Sequence, residues 1–208
     1  MESDSIVRVY ESRFWRRSPL VATLTQLSFE QEFEMVLHAA KLKGTETLLD
    51  LACGTGIYAR PFAKLLDRGA VFGLDISKPM LKYAGKQAGR EALKNVFFMN
   101  GDAMGLPFLD NSFEVVNCCG ALHLFADVPH ALGELSRVLK PGGRFTFATF
   151  RQREGALAER IVRLRQSATG INAFRPAELE QRLNQAGLEE VKCHHAKGIW
   201  LVMSAVKQ

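Results

Sequence analysis

From residue 28 onward, short apolar runs alternate with longer segments whose apolar side chains recur every three or four positions. Runs of the first kind predict strands over 46–51, 70–75, 95–100, 113–118 and 143–150, and segments of the second kind predict helices over 28–42, 57–67, 78–89 and 128–139. Pro141-Gly142-Gly143 punctuates the passage from the last of these helices to the fifth strand. After Pro176 a helix to about Ala186 precedes two further strands, near Glu189 to His194 and Ile199 to Val206. Regular strand–helix alternation predicts a doubly wound, mostly parallel sheet covered by helices on both faces, an α/β fold in three layers. The chain shows no internal repeat and no low-complexity segment.

The chemistry concentrates at the ends of three of these strands. Leu48-Leu49-Asp50-Leu51-Ala52-Cys53-Gly54-Thr55-Gly56 is an apolar strand that turns through glycines into a helix. Gly54 and Gly56 suit a tight turn whose amides approach a ligand closely. The stretch Gly54 to Ala59 also satisfies the dinucleotide pattern G-x-G-x-x-A, and Asp75 follows where an acid could hold a ribose, so a nicotinamide enzyme is open at this point. The second and third strands, however, also end in acids, Asp75 and Asp102, on the rim where open parallel sheets bind ligands. A diphosphate would be repelled by Asp50 beside the glycine turn, whereas a ligand carrying an ammonium and a sulfonium would be attracted. The pattern favours S-adenosylmethionine.

Further motifs follow in order: Gly73 to Ser77 with Met80-Leu81, Gly101-Asp102-Ala103 with Leu106-Pro107-Phe108, Asn111 to Val116, and Glu134 to Arg144. Together with Leu49 to Gly56 they resemble the class I S-adenosylmethionine-dependent methyltransferases of the small-molecule type, related to the ubiquinone and menaquinone C-methyltransferases, over roughly residues 45 to 206. The resemblance implies a Rossmann-like, seven-stranded sheet ending in an antiparallel hairpin, which an ordinary dinucleotide fold lacks. It implies that Asp75 accepts hydrogen bonds from the ribose and that Asp102 takes one from the adenine amino group, with the Ala103 amide beside it. Ile76 and Met80 would sandwich the adenine, Asp50 would lie near the methionyl ammonium, and the backbone near Cys119 would line the methionyl pocket. Two positions depart from the family pattern: Ala52 stands where a glycine is usual, and Glu114 where an aspartate is. A plainer reading is that the aspartates only end strands and cap the helices that follow.

Length and composition are compatible with one domain. The 208 residues, 47% of them apolar, suffice for a single α/β core, with residues 1–45 as an N-terminal helical lid or substrate segment and 46–208 as the cofactor-binding core. No run approaches the roughly 20 apolar residues that span a bilayer, and Met1-Glu2-Ser3-Asp4-Ser5 is too polar for a secretory signal. Cys53, Cys118, Cys119 and Cys193 lack metal-ligand spacing, which predicts reduced thiols, a cytoplasmic protein and no metal site.

Substrate choice must come from what surrounds this core. Tyr10, in Val9-Tyr10-Glu11, and Trp15, in Phe14-Trp15-Arg16-Arg17, are candidates for a lid over the reacting centre, or else pack an N-terminal helix. His123, in the loop after the fourth strand, is the candidate general base for a phenol or an activated carbon nucleophile, or else a packing residue. Asn117-Cys118-Cys119-Gly120 lacks both the Pro-Pro-aromatic run of amino-methylating nucleic-acid enzymes and the Pro-Cys of cytosine C5 enzymes, which argues against nucleic acid as partner. Net charge is only +5, yet Arg151, Arg153, Arg160, Arg163 and Arg165 face just Glu154 and Glu159, with Leu157, Ile161 and Leu164 between them. Segment 151–165 therefore reads as a solvated helix over a buried stripe, or as a peripheral contact with an anionic membrane. The expected activity is methyl transfer to a small organic acceptor such as a quinol, phenol, amine or lipid. A cofactor-binding regulator without turnover and a tRNA-modifying enzyme are the rival readings, and oligomeric state is not legible.

Overall fold

The computed structural model describes residues 18–152, 155 and 169–208. Strand β1 (Thr47–Leu51) is buried from Leu48 to Leu51, as a near-continuous apolar run demands of a central parallel strand. It pairs in parallel with β2 (Ala70–Asp75) and β4 (Phe113–Cys119); β3 (Val96–Asn100) joins β2, and β5 (Leu139–Phe150) joins β4. The later strands β6 (Leu188–Lys197) and β7 (Trp200–Lys207) form an antiparallel hairpin, and β7 pairs antiparallel with β5. The order across the sheet is β3-β2-β1-β4-β5-β7-β6, so the winding reverses between β1 and β4. A crevice opens at such a reversal, outside the carboxyl ends of the strands.

Among the described residues, six helices cover the sheet: α1 (Pro19–Thr25), α2 (Phe29–Ala40), α3 (Ala59–Leu65), α4 (Lys78–Arg90), α5 (Val128–Val138) and α6 (Pro176–Gln185). Local chemistry marks their starts. Ser28 and Gln31 form a reciprocal capping box on α2, Asp127 accepts from the His130 amide on α5, and Pro19, Pro79, Pro129 and Pro176 occupy first-turn positions. Adjacent residues of one strand feed opposite cores. Leu48 and Val115 pack with Phe29, Val36 and Phe62 of α2 and α3, whereas Leu49 and Val116 pack with Leu132 and Leu135 of α5 and Leu179 of α6. No described helix is long and apolar enough to cross a membrane.

The fifth strand begins four residues earlier than its sequence signals predict. Leu139 pairs with Phe113 before the Pro141-Gly142-Gly143 excursion, and Arg144 then takes up pairing with Val115, so the punctuation marks a bulge within β5. Helix α1, within the segment assigned to a lid, is too short to stand on propensity alone. The hairpin holds it: the Ile199 amide donates to the Leu24 carbonyl at 3.1 Å, and His195 Nε2 lies 2.9 Å from the Thr25 carbonyl.

Gly198 makes that approach possible. Its φ is +55°, and a Cβ there would fall 2.1 Å from the Leu24 oxygen. Gly198→Ala should therefore lower stability by roughly 2 to 4 kcal/mol, the left-handed backbone penalty adding to the forced displacement of α1. Urea denaturation checks this against Gly85→Ala, a helical glycine with open space around it that should gain about 1 kcal/mol.

Candidate active site

A cavity of about 670 Å³ lies at the carboxyl ends of β1, β2, β4 and β5 and is continuous from the glycine turn to the β6–β7 hairpin. Asp50, Ala52, Gly54, Asp75, Ile76, Met80, Asp102, Ala103, Cys119 and His123 all line it. Gly56, between the lining residues Thr55 and Ile57, supplies a further left-handed bend of the turn, with φ +75° after +54° at Gly54. Ala52 keeps φ +54°, so the bend that a glycine would take freely is retained at roughly 1–2 kcal/mol of backbone strain.

One end of the cavity is acidic. Asp50, only 2% exposed, accepts from Asn117 Nδ2 at 2.7 Å through Oδ1, while its buried Oδ2 has no hydrogen-bond partner. Asn117 cannot turn away, because its own Oδ1 accepts from the Thr146 hydroxyl at 3.0 Å and from the Cys119 thiol at 3.2 Å. Burial pushes the Asp50 carboxyl up to about 7 against the pull of Asn117 and the nearby Ala59 amide, and the neighbouring charge of Asp75 raises it further. An orphaned carboxylate oxygen in this place fits a cationic ligand.

Asp75, 8% exposed, is already engaged: Oδ2 accepts from the Gly54 amide at 2.7 Å and Oδ1 from the Ser77 amide at 2.8 Å. It braces the glycine turn and holds the amide of Ser77, the residue that precedes α4, and its oxygens retain further lone pairs. Asp102 is exposed and accepts from the Met104 amide at 3.0 Å. Ile76, 71% exposed, stands at the rim, and the Met80 sulfur lies where a Cβ at position 54 would meet it at 3.5 Å. The loop carrying Asp102 and Ala103 is pinned from below. Arg137 binds both oxygens of Glu134 at 2.7 and 2.9 Å, Asp110 at 2.8 Å and the carbonyls of Leu106 and Phe108, and Glu134 accepts from the Leu106 amide. The Arg137 guanidinium, with the Leu106 amide, holds the Glu134 carboxyl down to about 2. The Glu134 to Arg144 motif is thus a brace for the site.

The other end is aromatic. His123 sits in a 3-10 turn (Leu122–Leu124), buried rather than on an open rim, with Nδ1 3.3 Å from Thr149 Oγ1 and its ring centroid 4.2 Å from that of Phe150. Trp200 stands edge-on to Phe150 at 5.3 Å and to His123 at 6.1 Å. Leu20, Val21 and Leu24 of α1 complete this wall. Burial, with the Asp50 charge next, raises the thiols of Cys53 and Cys118, so neither is a thiolate nucleophile.

Sequence reasoning missed Asn117, Thr146, Thr149, Phe150 and Trp200 as parts of this site. A buried amide and two hydroxyls inside apolar strands were the available signal, since such groups need partners. Tyr10 and Trp15 lie outside the described residues, as do Arg153, Arg160, Arg163 and Arg165. Arg151 is described, and its guanidinium turns back to the Gly198 carbonyl at 3.5 Å.

Residues 49–147 match the family described as "Methyltransferase domain". The 2-phytyl-1,4-naphtoquinone methyltransferase of Synechocystis is 38% identical over 144 residues, 67% of this chain and 60% of that protein. The demethylmenaquinone methyltransferase of Thermus thermophilus is 41% identical over 108 residues, 52% of this chain and 49% of that protein. The chain thus spans about half to three fifths of the length of these curated relatives. A SAM-dependent methyltransferase from Aquifex aeolicus shares the fold, with a TM-score of 0.74 at 21% identity over 100% of both chains. YcgJ from Bacillus subtilis does so with a TM-score of 0.74 at 20% identity over 86% of this chain and 99% of that one. The acidic rim, the braced glycine turn and these likenesses agree: residues 49–147 match a methyltransferase domain, and the chain resembles the class I, S-adenosylmethionine-dependent methyltransferases, in particular the quinone methyltransferases.

Proposed function

We propose that this protein transfers the methyl group of S-adenosylmethionine to a small lipophilic aromatic acceptor of the quinol type. The observation that carries this reading is the continuity of one cavity from the carboxylates at the glycine turn to the wall of His123, Phe150 and Trp200. The names of the curated relatives, which methylate naphthoquinones or demethylmenaquinone, support the acceptor class.

S-adenosylmethionine supplies an electrophilic methyl on a sulfonium, and the residues have to bind, align and dehydrate. In this reading Asp50 faces the ammonium, Asp75 the ribose hydroxyls, and Asp102 with the Ala103 amide the adenine edge. Ile76 and Met80 cover the adenine faces, Ala52, Gly54 and Gly56 bring the backbone close, and the chain at Cys119 borders the methionyl group. The aromatic wall excludes water and holds a planar nucleophile in line. Nδ1 of His123 lies 3.3 Å from the Thr149 hydroxyl; in the tautomer that carries the proton on Nδ1, Nε2 is the basic nitrogen that would take the hydroxyl proton of the acceptor.

A lipophilic acceptor would arrive from a bilayer, and four exposed apolar side chains rim the mouth: Leu20, Leu24, Ile76 and Leu124. Sedimentation with anionic vesicles should carry the protein down, and Leu20→Ser with Leu24→Ser should release it; equal recovery of both proteins in the supernatant rejects membrane contact.

Cofactor binding tests the acidic end. Asp75→Asn should weaken S-adenosylmethionine by about 1.5 to 3 kcal/mol in calorimetry, and unchanged affinity would remove the ribose role. Asp50 adds a pH dependence. Its carboxyl is raised in the folded protein, so without ligand it favours folding at low pH, and that contribution is lost as pH climbs from about 4 through about 7. A cation beside Oδ2 demands the ionised form, so binding should release a proton below neutrality. Affinity should rise up to about tenfold per pH unit between about pH 5.5 and 7 and level off above. Asp50→Asn should flatten the profile, and a wild-type profile already flat would contradict the assignment.

His123 tests the chemical step. With a naphthoquinol acceptor, His123→Ala should lower kcat by about 100-fold while cofactor affinity stays unchanged, because the loss appears only in the transition state. Wild-type turnover in that variant would leave alignment as the sole contribution of the wall.

A further inference from the structure

Helix α2 buries Phe29, Glu32, Val36, Ala39 and Ala40 against the sheet. Glu32 is therefore a carboxylate on the stripe where the helical pattern calls for an apolar side chain, and it is only 4% exposed. Its surroundings are aromatic: Phe29 and Phe33 on its own helix, with rings 5.2 and 6.0 Å from that of Tyr58. A buried carboxylate is costly unless its oxygens are hydrogen-bonded. Glu32 takes a bond on each oxygen. Oε1 accepts from the Tyr58 hydroxyl, and Oε2 accepts from Trp200 Nε1 at 2.8 Å.

Both donors line the cavity, whereas Glu32 does not. Tyr58 follows Gly56 by two residues and stands at the N-terminus of α3, so it is the far anchor of the glycine turn. Trp200 begins β7 and carries the edge-on contacts to Phe150 and His123. One carboxylate behind the cavity thus joins the turn that approaches the cofactor to the wall that faces the acceptor. An indole N–H only donates, so Trp200 needs an acceptor in this place, and a charged one makes the bond short and directional. In-line transfer depends on near-attack geometry, and a misplacement of about 1 Å can cost roughly 100-fold in rate.

We propose that Glu32 is a positioning residue for methyl transfer, fixing the Trp200 indole, and through it the acceptor face of the cavity, at a set distance from the glycine turn. This rests on the reading that the aromatic end receives a quinol-type acceptor. It assigns Glu32 no contact with either substrate.

The chain has two tryptophans, Trp15 and Trp200, so a Trp15→Phe parent reports Trp200 emission alone. Titration with 1,4-naphthoquinone, a quencher of indole fluorescence, measures occupancy of the aromatic end without turnover. Glu32→Met, close in volume and without an acceptor, should raise the quenching midpoint by about tenfold while S-adenosylmethionine affinity in calorimetry changes by less than about threefold. Glu32→Gln should restore the midpoint to within about threefold of the parent, because its Oε1 accepts from Trp200 and its Nε2 donates to the Tyr58 oxygen. If Glu32→Met does not fold, Tyr58→Phe removes one of the two bonds and should raise the midpoint about threefold.

An unchanged midpoint in Glu32→Met, whether or not its Tm falls, assigns Glu32 to stability alone and overturns the proposal. So does an unchanged midpoint in Tyr58→Phe, or a Glu32→Gln as impaired as Glu32→Met. Absence of saturable quenching in the parent itself overturns the reading of the aromatic end, and the positioning role with it.

Discussion

Two buried carboxylates at the carboxyl edge of neighbouring parallel strands, Asp50 and Asp75, set the terms for the rest of this site. Burial and like charge work against keeping both ionised, which is why the Asp50 carboxyl is driven up to about 7. Everything nearby answers that strain in a different way. Asp75 is quieted by two backbone amides, those of Gly54 and Ser77. Asp50 receives a single side-chain donor, Asn117, whose orientation is locked by Thr146 and Cys119. The remaining oxygen of Asp50 has no hydrogen-bond partner, and in the proposed reading the ammonium of S-adenosylmethionine supplies the positive charge that satisfies it.

In the proposed reading the arrangement separates recognition from reaction. Acids and backbone amides gather on the β1–β2–β3 side, and apolar or aromatic groups gather where β4 and β5 end and β7 begins. A sulfonium loses its charge as the methyl leaves, so a low-polarity wall on the acceptor side opposes that change less than a polar one would. His123 is the exception on that side, and Thr149 ties one of its ring nitrogens down.

Strand positions and the acids that end strands were legible because parallel core strands are apolar throughout and their carboxyl ends must carry whatever polar chemistry the fold has. The start of β5 was misplaced because Pro141-Gly142-Gly143 is a local turn signal, whereas the pairing of Leu139 with Phe113 is a tertiary fact. Asp75 was read as a ligand-binding acid, and its observed bonds are to the Gly54 and Ser77 amides, which hold up the turn. Glu32, Asn117 and Trp200 were missed for one reason: each acts through a partner 26 to 168 residues away, and no window of sequence contains such a pair.

The contacts that roof the cavity have a temporal consequence. Helix α1 is held by Ile199 and His195, and the Glu32 carboxylate by Trp200, links that close loops of about the whole chain, 168 and 170 residues for the last two kinds. Such closures come late, after local helices and the β1–β2–β3 ladder have formed. On a ribosome the glycine turn and its Asp75 brace can assemble while the second half of the chain is still being made, but the partner of Asp50 must wait for β4 and the aromatic half for β7. A nascent or truncated chain would therefore pass through a state with a cofactor turn in place and an apolar crevice still unroofed, a surface for chaperones to cover.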